Sequence, residues 1–143
     1  MNTLHLHLDL LLRVAAAGQL AIAALNLFLV RIMNWKPDLQ RAPVLIREVF
    51  HVHCIFISIT LTIFGVLTWQ FASQIAMALN PLGVWLAAAI GAFWGIRSVM
   101  QWIYYSPSHW RGKTGRTVIH FLLFFGYAAF AAVYFAAAFW RNT

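Results

Sequence analysis

Residues 46–72, IREVFHVHCIFISITLTIFGVLTWQFA, decide the fold. Arg47 and Glu48 stand at the start, and no Asp, Glu, Lys or Arg occurs from Val49 to Ala72. A helix rises about 1.5 Å per residue, so this charge-free stretch is longer than the roughly 30 Å of hydrocarbon in a bilayer. Three further runs read the same way: Leu8–Met33, Leu82–Tyr105 and Thr117–Trp140. The chain is 63% hydrophobic and 9% charged, which excludes an ordinary water-soluble domain. The expectation is an all-α integral membrane protein: one four-helix up-down bundle across residues 1–143, with helices near 8–33, 46–72, 82–105 and 117–140.

The segments between the runs hold turn-forming residues. NWKPDLQRAP (34–43) has two prolines, NPLG (80–83) is a turn sequence, and SPSHWRGKTG (106–115) mixes serine, proline and glycine. Such links join antiparallel neighbours. The first run lacks a basic leader and carries Asp9, so it reads as a span and not as a signal peptide. The single cysteine, Cys54, allows no intrachain disulfide.

The net charge of +7 is not a nucleic-acid signal, because the basic residues sit by the spans. Arg31, Lys36, Arg41 and Arg47 flank the first link; Arg111, Lys113 and Arg116 flank the third; the second, SQIAMALNPLG (73–83), carries no charge. Basic loops stay in the cytoplasm. The first and third links are therefore expected inside and both termini outside, in a bacterial inner membrane. Arg13 and Arg141 fall on the other side, near helix ends from which long side chains reach the headgroups. Trp35, Trp69, Trp102, Trp110 and Trp140 lie near expected boundaries, as in an interfacial aromatic belt.

Two stretches rhyme: REVFH from Arg47 to His51, and RTVIH from Arg116 to His120. Each closes a basic link that also holds Trp before a cation, Trp35-Lys36 and Trp110-Arg111. Two hairpins of one orientation can be pseudo-repeats about an axis along the membrane normal. The alternative is coincidence, since arginine is common at such edges; only the histidines are unexpected. Both histidines fall within a turn or two of the same membrane edge.

Glu48, Asn26, Arg97 and Gln101 fall at that level too. Intramembrane ionisable groups face the interior and find partners, so Glu48 is expected to pair with Arg97. Glu48 and His51 share a face of their helix, expected to continue through Ile55, Ser58, Thr62 and Gly65; His120, Phe124, Tyr127, Ala131 and Tyr134 share another. The expected site is Glu48, His51, Arg97 and His120, supported by Asn26 and Gln101.

Glu48 to His51 is a Glu-x-x-His unit, but a di-iron bundle needs about four carboxylates and this chain has three. Glu48, His51 and His120 could instead hold one divalent metal. His51 and His120 could also be the axial pair of a haem b, with Arg97 at a propionate. HVHC (51–54) is a weaker metal signal, since His53 points away from His51 on a helix. His5 and His7 in HLH could bind copper only as a short tail.

A redox or metal-binding membrane protein is thus the first expectation. A proton-coupled small transporter using Glu48 and His51 is the second. A non-catalytic accessory subunit is the third, drawn from the small-residue runs LAAAIGAFWG and YAAFAAVYFAAAFW. The lipid bilayer is the expected surrounding, with a homo-oligomer or larger complex as possible context. No nucleotide loop or cysteine pair supports kinase or dithiol chemistry.

Overall fold

The computed structural model describes residues 3–104 and 114–140, apart from the side chains of Leu4 and Arg116. The expectations placed on Tyr105, Trp110, Arg111, Lys113, Arg141 and the Arg116 side chain lie outside the described residues. Within them the chain is all-α, with no strand. The helices are α1 (Thr3–Leu27), α2 (Leu29–Ile32), α3 (Lys36–Arg41), α4 (Val44–Ala76), α5 (Pro81–Ile103) and α6 (Thr114–Phe139). Of these, α1, α4, α5 and α6 are long and apolar enough to cross a membrane, with spans at His5–Leu27, Val44–Ala76, Pro81–Ile103 and Thr117–Phe139. The protein is a multi-pass membrane protein.

The chain divides into two compact units. The first comprises residues 1–12 and 71–143, the second residues 13–70. In the first, α5 and α6 run antiparallel. Ser98 donates its hydroxyl to the Phe124 carbonyl at 3.2 Å, and farther along Phe135 lies on Gly91. A Cβ at Gly91 would sit 3.0 Å from the Phe135 ring, so a larger residue there would push the ring back by a few tenths of an ångström. Trp94 fills the centre at 1% exposure. It stacks on Tyr127, with centroids 5.2 Å apart, and meets Phe130 at 4.9 Å. The buried positions of α6 among the described residues are 120, 127, 131, 134, 137 and 138, with Phe124 half-buried, so the expected stripe of 120, 127, 131 and 134 is covered.

In the second unit α1 runs antiparallel to α4. Asn26 meets Ser58, and Leu20 meets Gly65. A Cβ at Gly65 would lie 2.8 Å from Leu20 Cγ and 3.2 Å from the Ala16 carbonyl oxygen, a close helix approach of the small-residue kind.

Three boundaries differ most from the expected ones. α1 starts at Thr3, five residues before Leu8, because HLHLD is helical. The first run is also broken at Phe28 (φ −98°, ψ 4°), which makes α2 a separate turn. α4 continues to Ala76, so Ser73–Ala76 is helix and not link. Those residues are held by tertiary contacts in the first unit: Ser73 Oγ donates to Asp9 Oδ1 at 2.8 Å, and Ile75 and Ala76 are buried. The helix bends at Phe71 (φ −111°, ψ 16°) just before them.

The face of α4 differs as well. Ile55 is 50% exposed and Thr62 is exposed. The covered stripe runs through Cys54, Ser58, Leu61, Gly65, Thr68 and Ala72, a repeat of four and three that is rotated from the expected one. Thr60 and Thr62 turn their hydroxyls back to the carbonyls of Phe56 and Ser58, at 2.9 and 2.8 Å. These hydroxyls need no second helix to be satisfied in lipid.

The α4–α5 link is tightly specified. The Leu79 N–H bonds the Gln74 carbonyl and the Ala78 N–H bonds Ile75, with Ala78 at φ 48°. This is a C-terminal cap of the left-handed kind that favours glycine. Asn80 then caps α5, its side chain accepting from the Gly83 N–H at 2.7 Å, with Pro81 in the first turn. Ala78→Gly is expected to stabilise the protein by about 1 kcal/mol, because it removes the left-handed Cβ penalty. Unfolding in detergent measures it; a loss of stability would mean that the turn is not strained.

Candidate functional site

The polar centre of the first unit is a hydrogen-bonded chain across α5 and α6. Arg97 and Gln101 lie four residues apart on α5, one turn of one face. Arg97 Nη1 donates to Gln101 Oε1 at 3.1 Å. Gln101 Nε2 reaches His120 Nδ1 on α6 at 3.2 Å. Gln101 is 4% exposed and His120 5%. The Arg97 guanidinium carbon also lies 4.7 Å from the centroid of the Tyr127 ring, a cation–π distance. Trp102 and Phe121 flank His120, with ring centroids 6.5 and 5.6 Å away.

The donors and acceptors of this chain fix its chemistry. Arginine only donates, so it orients the Gln101 amide with its oxygen toward Arg97. The amide nitrogen, which only donates, then faces His120. In this arrangement His120 Nδ1 accepts, which leaves the ring proton on Nε2.

His51 has the opposite arrangement. It is exposed, and its Nδ1 lies 2.7 Å from the Arg47 carbonyl oxygen one turn earlier. A carbonyl only accepts, so Nδ1 carries the proton and neutral His51 has its lone pair on Nε2. The two rhyming stretches thus hold their histidines in different ways. His51 bonds within its own helix, whereas His120 bonds across to α5.

A metal-ligating histidine typically donates its second ring N–H to a carbonyl or carboxylate while its other nitrogen binds the metal. His51 has that form. His120, in this arrangement, accepts at Nδ1 and carries the proton on Nε2, so ligation through Nε2 requires loss of that proton. Among the described residues, no three His, Cys, Asp or Glu side chains gather closely enough to hold a metal.

The structure thus brings together three of the sequence-derived residues: Arg97, Gln101 and His120. Glu48 and His51 lie on the first turns of α4 in the second unit, where both are exposed. Asn26 is engaged in that unit too. Its Nδ2 donates to the Cys54 carbonyl at 2.7 Å and to Ser58 Oγ at 2.9 Å. Sequence reasoning missed Tyr127 as the aromatic partner of Arg97, although its place on the His120 stripe was a usable signal. It also missed Asp9 with Ser73, and His5, whose Nδ1 bonds the Ala76 carbonyl at 3.1 Å.

No protein-family model, curated protein or solved structure matches the chain.

Proposed function

We propose that this chain is a proton-coupled membrane protein whose working group is His120. In this reading the links bearing the basic residues, and with them His120, lie on the cytoplasmic side of a bacterial inner membrane, with both termini outside; the support is the bias of Lys and Arg toward those links. The observation that carries the function is an imidazole, buried in a membrane-spanning hairpin and joined through one amide to a permanent cation.

A proton added at Nδ1 turns that atom from acceptor to donor. The Gln101 amide must then rotate to offer Oε1, and the Arg97–Gln101 bond is broken. Proton uptake and Arg97 placement become linked, the kind of two-state element that proton coupling needs. Among the described residues, this network joins His120 to Arg97 of α5 and, through its guanidinium, to Tyr127 of α6.

The test is proton entry into liposomes holding the purified protein and a pH-sensitive dye. After an acid step outside, the wild type should acidify the lumen, His120→Leu should abolish this, and His51→Leu should leave it intact. A His120→Leu variant that conducts like the wild type would remove His120 from the function.

A second reading is favoured by His51 alone. Its ligand-type hydrogen bond, with Glu48 one turn back, supports a metal or haem b ligand shared with a second copy or a larger complex. An absorption spectrum with metal analysis decides it: a Soret band or bound metal lost in His51→Leu supports this reading, and a clean spectrum without metal removes it.

A further inference from the structure

A cavity of about 450 Å³ opens in the first unit where α4 ends and α5 begins. Its wall is the turn from Ala76 to Pro81, closed by His5 of α1, Trp85 of α5 and Trp140 after α6. The spans of α4 and α5 end at Ala76 and begin at Pro81, so the cavity lies at a bilayer boundary.

Three parts of the wall are electron-rich, and the α5 N-terminus that borders it is capped by Asn80, whose side chain accepts from the Gly83 N–H. The end of a helix leaves its last carbonyls without intrahelical partners and carries the negative end of the dipole. His5 donates Nδ1–H to the Ala76 carbonyl at 3.1 Å, so the neutral ring keeps a lone pair on Nε2. The two indoles add ring faces of negative potential, and both are mostly exposed. Among the described residues, no Asp, Glu, Lys or Arg lines the cavity. The left-handed Ala78 in the wall shows that backbone strain is tolerated here.

This lining selects among ligands. A hard metal ion prefers carboxylates, which are missing. An anion would face carbonyl oxygens and indole faces. A large, weakly hydrated cation matches all three wall types, and recognition of quaternary ammonium by aromatic rings is the established use of that physics. We infer that the cavity binds a quaternary ammonium group, either as free choline-like solute or as the headgroup of a phosphocholine lipid. The inference does not depend on the proton-coupled reading.

The test uses the purified full chain in nanodiscs of phosphatidylglycerol, which contain no choline. Choline is titrated in by equilibrium dialysis, in parallel with 3,3-dimethylbutan-1-ol, which has the same shape without the charge. Choline should bind saturably and at least about fivefold more tightly than the alcohol, in line with a cation–π gain. Trp85→Ala and Trp140→Ala should each weaken it by about fivefold or more. Should either fail to fold, Trp85→Phe and Trp140→Phe keep the bulk and should still weaken it. Repeating the titration in phosphatidylcholine nanodiscs separates the sources: weaker choline binding there identifies the lipid headgroup, and unchanged binding identifies the free solute. Equal binding of the alcohol, tryptophan variants that bind like the wild type, or no saturable choline binding in phosphatidylglycerol would each overturn the inference.

Discussion

Trp94→Ala is expected to lower the stability of the protein by about 3–5 kcal/mol, the range for deleting a large buried aromatic. Trp94 is 1% exposed and sits where α5 and α6 cross, stacked on Tyr127 and against Phe130. Backbone neighbours cannot close a hole of that size, because Gly91 and Gly95 on the same helix bring no side-chain volume toward it. The loss should also reach the polar site. Tyr127 carries the Arg97 guanidinium on its ring and is itself held flat by Trp94. Denaturant titration in detergent gives the size of the effect. A change under about 1 kcal/mol would mean that the α5–α6 seam is not packed around this indole.

The second large effect is at Gln101. Gln101→Leu removes the acceptor of Arg97 and the donor to His120 together, leaving two polar groups to be satisfied elsewhere in a buried site. The expected cost is about 1–3 kcal/mol for a buried group deprived of its hydrogen bond. His120→Leu should be costly for the same reason, since it strands the Gln101 amide. The double variant should cost less than the sum of the two, because the second change no longer strands a partner. The difference should be about 0.5–3 kcal/mol, the range for directly interacting residues. Additive losses would show that the Gln101–His120 bond contributes nothing.

The spans were legible because lipid imposes a simple rule. A charge-free run of sufficient length has few other readings, and 46–72 obeys it. Local chemistry also read through: Asn80-Pro81 marked the start of α5, and the spacing of His120, Tyr127, Ala131 and Tyr134 marked the buried stripe of α6. Arg97 and Gln101 were legible as neighbours because a separation of four residues fixes them on one face.

What did not read through depends on helix rotation and choice of neighbour. The sequence cannot say that the Gln101 amide reaches His120, since that requires the register between α5 and α6. Counting charges offers Glu48 to Arg97, and only the register between α5 and α6 shows the Gln101 amide and the Tyr127 ring beside it. The α4 stripe was read one position off, through Ile55 and Thr62, because both faces of that helix are apolar enough to serve. The start of α1 was hidden by its polar residues. His5 and Asp9 look like a hydrophilic tail until the Ala76 carbonyl and the Ser73 hydroxyl supply their partners. Ala78 in a left-handed conformation is invisible for a different reason: alanine carries no turn signal, where a glycine or asparagine would.

The central proposal is that Gln101, oriented by Arg97, donates to His120 Nδ1, which leaves the ring proton on Nε2. The most direct measurement is nitrogen-15 NMR of the His120 ring in a bilayer sample, assigned by comparison with His120→Leu and recorded at neutral pH. The account predicts that Nδ1 resonates as an unprotonated nitrogen and Nε2 as a protonated one, and that His51 shows the reverse. A proton on His120 Nδ1, whether in the other neutral tautomer or in the charged ring, would contradict it.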